Sequence, residues 1–498
     1  MTVFSGSNPK ETEESLNPES TTVQPGGKTA APPALPTRQL TGIIGALALA
    51  AFLMILNETV LTVALPSIMA DLQVTAAAGQ WLTTGFLLTV SVVIPTTGFL
   101  LQRFTTRSLF IFALSSFLVG TLLAIFAPTF AVLLVARIIQ AVGTAIVLPL
   151  LMTTTLTLVP MHKRGAIMGL NSIVISVGPA VGPTVSGAIV NAFSWHWIFV
   201  LMTPLAVIIL LLGIIFIKIP SSTRKLPVDV PSVILSALAF GFLVYAISSL
   251  EHASENLVLL GASVVVGAGS LALFIKRQIV LTRSGRELLN LAPFRNRNFT
   301  LSVVLIMVAM GTFLGTVVIV PIMLQTGRGL DTLTIGMMLL PGGLVQAAVG
   351  PVFGRVFDRF GPRPVLIPGA AMLALGQWLY VGVTPESPLW VFTVSHIVFS
   401  IGLAMLMTGL LSAALATVEP RLYGHGSAIF NTGQQLGGAI GTTIFVTVLS
   451  MLSAAKLDEG SELADSLFSG GHTAFIIGAL LATAAVVLAP FVKIPRRA

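Results

Sequence analysis

Fourteen apolar segments, each of about twenty residues, follow one another along the chain between residues 42 and 492. About 20 apolar residues are needed for an α-helix to cross a hydrocarbon core of about 30 Å. Charged residues are only 9% of the chain, against about 25% in soluble globular proteins. The pattern predicts an all-α polytopic membrane protein, with spans near 42–66, 79–101, 108–127, 129–158, 166–191, 197–217, 231–250, 257–275, 299–324, 334–354, 364–384, 388–417, 425–452 and 472–492.

The basic residues lie mainly in alternate connections between these segments. If the N-terminus is cytoplasmic, the outer connections keep only Arg328 and Lys456, whereas most other Lys and Arg residues lie in inner segments. Cytoplasmic loops of membrane proteins carry this excess of Lys and Arg. We therefore expect a multi-pass protein of the cell membrane with both termini cytoplasmic. The net charge of +8 then reflects topology, and no nucleic-acid partner is expected.

Composition also limits the chemistry. The chain has no Cys, and its six His residues show no paired metal-ligand spacing, so neither a metal nor another cofactor is expected. No phosphate-binding GxxxxGK[ST] motif is present. Residues 1–40 are rich in Glu, Ser, Thr and Pro and are predicted to form a disordered cytoplasmic tail. An enzyme is therefore not indicated.

Glu58 and Arg137 are the formal charges that fall inside the predicted spans. A charge near the bilayer centre costs at least about 2.5 kcal/mol, so such residues are candidates for function. Arg137 needs a carboxylate, carbonyl groups or water as partner, and Glu58 is the spanning acid available to it. The pair is predicted to couple transport to protons. The alternative is that Glu58 is a structural acid and that Arg137 is held by structural hydrogen bonds.

Polar and aromatic residues on several spans suggest a substrate cavity. Gln140 lies three residues after Arg137 and shares its helical face. His396 is interpreted as a structural histidine rather than a proton relay. The residues predicted to line the cavity are Asn57, Trp81, Phe86, Gln140, Asn171, Gln325, Gln346, Trp378, Asn431 and Gln434, with Gln435 beside them. Each of these residues could equally serve only in packing or hydrogen bonding.

The chain contains an internal repeat. GFLLQRFTTR at 98–107 and GRVFDRFGPR at 354–363 share the frame G-x-x-x-[QD]-R-F-x-x-R. Their separation exceeds six spans by about two more, which predicts two six-helix halves with two extra helices between them. The predicted domains are a tail at 1–40, an N-terminal bundle at 41–220, two extra helices with a basic linker at 221–298, and a C-terminal bundle at 299–498.

Two motif classes are predicted to act in gating. In the fifth span, small residues every four positions let a partner helix approach, and prolines bend the helix; ordinary helix packing explains the same pattern. In the first loop motif, gating and a purely topogenic role explain the Arg residues about equally well, whereas in the second copy Asp358, Arg359 and Arg363 could pair across the two halves and bias which side is open. The gating candidates are Gly98, Arg103, Arg107, Gly178, Pro179, Gly182, Pro183, Gly187, Gly354, Asp358, Arg359 and Arg363.

These motifs, taken in order, resemble the major facilitator superfamily, and within it the fourteen-span drug:proton antiporters, from about residue 42 to 492. GFLLQRFTTR resembles the loop after the second span, with Gln102 and Thr105 where the family usually has Asp and Gly. RIIQAVGTA (137–145) resembles the fourth-span motif, and GPAVGPTVSG (178–187) the antiporter motif of the fifth. LNETVLTVALP resembles the first-span motif LDxTIVNVALP, with Asn57 in the place of the acid and the carboxylate at Glu58. WHWIFVLMTP, LAPFRNRNF and NTGQQLGGAIG are also similar to that branch.

The resemblance implies a major facilitator fold and a proton-coupled exporter of amphipathic or cationic drugs that works by alternating access. Its expected partners are protons, a small organic substrate and the lipid bilayer, and we expect it to function as a monomer. One alternative is an exporter of the same fold for a dedicated metabolite such as an amino acid, an osmolyte or a lipid-like molecule. A non-transporting membrane sensor or scaffold is the other, and the lack of a large soluble domain argues against it.

Overall fold

The computed structural model describes residues 37–74, 76–160, 163–219, 229–248, 257–284 and 286–493. The predicted tail therefore lies almost entirely outside the described residues. Within them the chain forms fourteen long α-helices, because only helices and closed barrels satisfy every backbone polar group in lipid. The helices are α1 Thr37–Asp71, α2 Ala76–Arg103, α3 Thr106–Ile125, α4 Phe130–Leu158, α5 Arg164–Ala192, α6 His196–Phe216, α7 Val230–Ser248, α8 Leu257–Thr282, α9 Arg297–Ile322, α10 Thr332–Phe360, α11 Arg363–Val381, α12 Leu389–Leu415, α13 Tyr423–Asp458 and α14 Leu463–Leu488.

The helices coincide with the predicted spans, but not all of them are long and apolar enough to be counted as membrane spans. In the described part of the chain, twelve are long and apolar enough to cross a membrane by length and composition. The apolar stretch of α7, Val230–Ala246, is shorter, and α5 is not among the twelve. A multi-pass helical membrane protein is confirmed. The count of fourteen crossings is not confirmed and stays a prediction.

The contacts between helices define two groups. Helices α1–α6, called here the N-half, pack on one another, as do α9–α14, called the C-half. The two groups meet mainly where α5 packs on α10 and where α2 packs on α13. We call this double contact the seam. The end of the helices that carries both loop motifs is called the motif end.

The two copies of the loop motif turn the chain in different ways. After α10, Gly361 has a φ of +82°, a conformation that glycine adopts without steric cost. After α2, Thr105 has a φ of −71° and caps α3 by accepting a hydrogen bond from the Ser108 amide at 3.1 Å. The first turn therefore needs no glycine, which explains how Thr105 can stand where the second copy has Gly361.

The α7–α8 pair is closed at one end by an ion pair. Arg277 donates from Nε and Nη2 to the two carboxylate oxygens of Asp229, each at 2.7 Å. Gln278 donates to Ser232 Oγ at 2.7 Å and accepts from the amides of Leu288 and Leu289 at 2.8 and 3.1 Å. The start of α7, the end of α8 and the segment leading to α9 are thus tied together.

This ion pair predicts a pH-dependent contribution to stability. The hydrogen bond from Arg277 lowers the pKa of Asp229 from 3.8 to about 2. Because the folded value is the lower one, the stabilisation is present above pH 4 and is lost as the pH falls towards 2. We expect Asp229→Asn to unfold at a lower temperature than wild type at pH 7, and the difference to shrink below pH 4. Thermal unfolding in detergent across this range measures it, and a difference that is constant with pH would contradict it.

Candidate functional site

Arg137 is buried in the middle of the N-half, with 1% of its surface exposed. Its Nη1 donates to Gln140 Oε1 at 2.8 Å, and its guanidinium carbon lies 4.2 Å from the ring centroid of Phe86 on α2. A cation over an aromatic face is stabilised by the ring quadrupole, more strongly when both are desolvated. Phe86, predicted as a cavity wall, is therefore a direct partner of this charge.

Gln140 joins three helices of the N-half around Arg137. Its Oε1 also accepts a hydrogen bond from Asn57 Nδ2 on α1 at 3.3 Å, and its Nε2 donates to Thr121 Oγ1 on α3 at 2.9 Å. All three amide and hydroxyl side chains are fully buried. Buried polar groups are costly unless they are paired, so the network fixes Arg137 in one place.

Glu58 follows Asn57 on α1 and is half-buried. It lies close enough to Arg137 for the two charges to interact. Among the described residues, however, Arg137 is held by Gln140 and Phe86, and no ion pair with Glu58 is formed. The sequence-based expectation named Glu58 as the partner. The structure instead gives Arg137 a neutral partner and leaves Glu58 beside it.

The small-residue motif of α5 lies against this same turn of α1. A Cβ atom on Gly178 would lie 2.7 Å from Ile55 Cγ2, and one on Gly182 would lie 2.3 Å from Thr59 Oγ1. Such distances are shorter than real Cβ contacts, so both positions need glycine. The prediction that the stripe admits a close partner helix thus finds that partner in α1. Ser186 donates to the Val60 carbonyl at 2.8 Å, and a Cβ on Gly187 would meet nothing within 4 Å. The side chains of Pro179 and Pro183 lie outside the described residues.

Two of the predicted cavity residues line a pocket between the two halves. Asn431 and Gln434 on α13 line a small pocket with residues of α4, α5 and α12. Methionines adapt to irregular ligands because their side chains are flexible and polarisable. Their pocket partners are Met152, Met168, Met407, Leu411 and Phe430. Asn171 is buried close to α4 and donates to Thr155 Oγ1 at 3.2 Å.

Other predicted cavity residues lie elsewhere. Trp81 is 41% exposed and stacks on Tyr245 of α7, with ring centroids 6.0 Å apart. Trp378 is 44% exposed and donates to Thr483 Oγ1 on α14 at 3.1 Å. Gln325 is exposed just beyond the end of α9. These three residues do not join the Arg137 network or the pocket at the seam. Of the remaining candidates, Gln346 is buried in α10 and Gln435 is half-buried in α13.

The first loop motif contacts the C-half directly. Gln102 Nε2 lies 2.6 Å from His425 Nε2 on α13, and a Cβ on Gly98 would lie 2.7 Å from His425 Nδ1. His425 is 1% exposed. Gln102 thus gives the loop motif a neutral contact across the seam. Sequence reasoning missed His425, because it lies 323 residues from Gln102 in no recognisable motif.

The arginines of the loop motifs face their own half or nearby rings. Arg107 Nη2 donates to the Ile214 carbonyl at 3.2 Å. Arg103 and Arg359 lie over the rings of Phe104 and Phe360, at 5.7 and 5.2 Å. Gly354 and Asp358 lie in the last part of α10, and Arg363 begins α11. The predicted pairing of Asp358, Arg359 and Arg363 across the halves stays a prediction.

The α5–α10 contact at the motif end is equally close. A Cβ on Gly169 would lie 2.4 Å from the carbonyl oxygen of Gly350 and 2.7 Å from Pro351 Cα. The two backbones therefore touch, and any side chain at position 169 would separate them. Both parts of the seam are closed at this end.

The buried network predicts a stability effect. Gln140→Leu removes the hydrogen-bond partner of a buried guanidinium, and a hydrogen bond to a charged group contributes about 2 to 3 kcal/mol. We expect a lowered free energy of unfolding, measured by denaturation in detergent. Gln377→Leu is the matched control, because Gln377 is also fully buried but donates only to neutral groups, chiefly Thr316 Oγ1 at 2.7 Å, so its loss costs about 1 kcal/mol. Equal effects of the two changes would show that Arg137 does not depend on Gln140.

Comparison with known proteins agrees with this architecture. Residues 47–442 match the model of the Major Facilitator Superfamily. The chain is 39% identical over 455 residues to the uncharacterized MFS-type transporter YcnB of Bacillus subtilis, covering 91% of this chain and 95% of that protein. It is 37% identical over 456 residues to the lincomycin resistance protein LmrB of Listeria monocytogenes, covering 91% and 96%.

Solved structures show the same fold. The crystal structure of the human organic anion transporter MFSD10 superposes with a TM-score of 0.62 at 14% identity, over 90% of this chain and 100% of that one. At this identity the likeness concerns the fold alone. Family model, relatives and fold lead to one conclusion: the chain belongs to the Major Facilitator Superfamily.

Proposed function

We propose that the protein is a proton-coupled exporter of amphipathic or cationic drugs and works as an antiporter by alternating access. The observation that carries the proposal is Glu58, a half-buried acid beside the fixed guanidinium of Arg137, on the turn of α1 that contacts the glycines of α5. A proton on Glu58 changes the charge of this turn, and α5 connects the turn to the seam. Loading and release of that proton can therefore bias which side of the seam is open.

The family supports drug export as the direction of transport. A relative that the match covers over 96% of its length is named a lincomycin resistance protein, and resistance by a transporter requires outward movement. The motif order is that of the fourteen-span drug:proton antiporters, which is the branch we propose.

The Lys and Arg asymmetry supports a location in the cell membrane with both termini cytoplasmic. A reporter fused to the C-terminus tests this topology, and an exterior signal would refute it.

One proton supplies enough energy for this exchange. A proton moving down about 100 mV yields about 2.3 kcal/mol, and one unit of pH adds about 1.36 kcal/mol. The sum of about 3.7 kcal/mol sustains a gradient of about 500-fold for a neutral substrate exchanged one for one. A single titrating acid is therefore sufficient.

The test is transport by purified protein in liposomes. A proton gradient imposed across the membrane should drive accumulation of lincomycin, and a protonophore should abolish it. Transport that is indifferent to the gradient would refute proton coupling. A panel of chemically unrelated competitors then separates a multidrug exporter, which many of them inhibit, from an exporter of one dedicated metabolite.

A further inference from the structure

Helix α8 has an outer face that no described part of the chain covers. Among the twelve helices that are long and apolar enough to span, α8 has the smallest buried share, because it packs mainly on α7. Val258, Val265 and Val280 are 86%, 72% and 59% exposed, and their spacing puts them on one side of the helix. We call this side the outer face of α8.

Three exposed basic residues lie where the outer face ends. Lys276 and Arg283 stand four residues before and three after Val280, so they share its side of the helix. Arg286 returns to the end of α8, because its amide donates to the Leu281 carbonyl at 3.2 Å. The hydrogen bonds described above fix the segment that follows. We call Lys276, Arg283 and Arg286 the basic cluster.

The basic cluster lies at the motif end. The chain runs from α8 into α9 through a short connection. A Cβ on Gly426, near the start of α13, would lie 3.5 Å from Phe299 Cε2, near the start of α9. The start of α13 is also where His425 contacts the first loop motif, so all these elements share one side of the membrane.

The charges of the basic cluster are not neutralised by the described protein. Neither α7 nor α8 contains an Asp or Glu residue. The nearby acids are engaged, since Asp229 is paired with Arg277 and Glu287 accepts a hydrogen bond from Asn290 at 2.6 Å. Among the described residues, the side chains of the basic cluster form no ion pair. Three positive charges are therefore left beside an apolar surface.

We propose that the basic cluster and the outer face of α8 bind an anionic phospholipid. The guanidinium groups of Arg283 and Arg286 suit the lipid phosphate, because their planar donors match two phosphate oxygens at once. Lys276 lies seven residues, or about 10 Å, deeper along the helix, and its long stem carries the ammonium group up to the headgroups. The exposed valines then receive an acyl chain. Basic residues next to a membrane span attract anionic lipids in this way.

Charge favours a lipid over a second copy of the chain on this face. Two copies in one membrane that joined through the outer face by a two-fold axis would bring their motif ends together. Each basic cluster would then face the other, with no acid on α7 or α8 to separate them. An anionic headgroup instead supplies the missing negative charge.

Native mass spectrometry of the full chain in detergent tests the site by counting bound lipids. The probes are phosphatidylglycerol and phosphatidylcholine with identical acyl chains. We expect wild type to bind one phosphatidylglycerol about tenfold more tightly than phosphatidylcholine. Replacing all three residues of the basic cluster by Gln should lower this preference below twofold. The matched control is the triple variant Arg38→Gln, Lys163→Gln and Lys218→Gln, which removes three exposed charges from other places at the same end and should keep the preference.

Folding does not confound the test, because the basic cluster is exposed and its loss should leave the melting temperature unchanged. Arg286→Gln alone, outside the helix, should already lower the preference about threefold, and exchange of Lys and Arg within the cluster should preserve it. An unchanged preference in the Gln variant would overturn the site. Equal losses in the test and control variants would overturn it too, since they would show a general attraction to this end. A wild-type dimer that excludes phosphatidylglycerol would assign the outer face to a second copy instead.

Discussion

Replacement of Glu58 by Gln should abolish proton-driven efflux while the protein stays folded and still binds lincomycin. The amide keeps the shape and the hydrogen-bonding capacity of the acid but cannot take up or release a proton. Arg137 is already held by Gln140 at 2.8 Å and by the ring of Phe86, so the change leaves no guanidinium without a partner. We therefore expect loss of coupling without loss of fold.

The measurement compares gradient-driven accumulation of lincomycin in liposomes with its binding in detergent. Accumulation by the Gln variant should fall to that of liposomes without protein, and the dissociation constant should change by less than about threefold. Asp71→Asn is the control on the same helix, since Asp71 is exposed at the end of α1 and the amide oxygen of Asn can still accept the hydrogen bond that Trp195 Nε1 donates to Asp71 Oδ2 at 2.9 Å. A Gln variant that accumulates substrate at the wild-type rate would place the coupling site elsewhere.

The helices were predictable from sequence because a membrane imposes one length and one composition on every span. The structure places α4 at Phe130–Leu158 and α9 at Arg297–Ile322, within a few residues of the predicted segments 129–158 and 299–324. The crossing count was less predictable. Helix α7 lies at the predicted place, but its apolar stretch is too short to qualify by length and composition.

Which face of a helix points inward was not predictable in the same way. In water, apolar periodicity separates buried from exposed positions, but lipid is as apolar as a protein interior. Trp81 and Trp378 thus had the same sequence signature as Phe86, and only the structure shows that they are about two-fifths exposed while Phe86 contacts Arg137. Polar residues were the better guide, since Asn57 and Gln140 had to find partners wherever they were buried.

Contacts between distant segments lay beyond sequence reasoning for a different reason. The spacing of Arg137 and Gln140 is local, so a shared helical face predicts that they meet. Gln102 and His425 belong to different halves, and their contact depends on how α2 packs on α13.

The closed motif end can be tested with an engineered disulfide. A Cβ on Gly424 of α13 would lie 3.5 Å from Leu101 Cβ on α2, in ordinary contact with its neighbours, and disulfides need a Cβ separation of about 3.5 to 4.5 Å. The chain has no cysteine of its own, so the variant Leu101→Cys with Gly424→Cys contains only the intended pair. We expect it to cross-link readily on oxidation.

A cross-link here joins the N-half to the C-half at the end where the structure shows them in contact. If transport requires the halves to part at this end, lincomycin transport should fall to background on oxidation and return when a reductant opens the bond. Each single-cysteine variant, treated with the same oxidant, should transport throughout. Full transport by cross-linked protein would mean that α2 and α13 stay together during the cycle, and alternating access would then have to occur along the α5–α10 part of the seam alone.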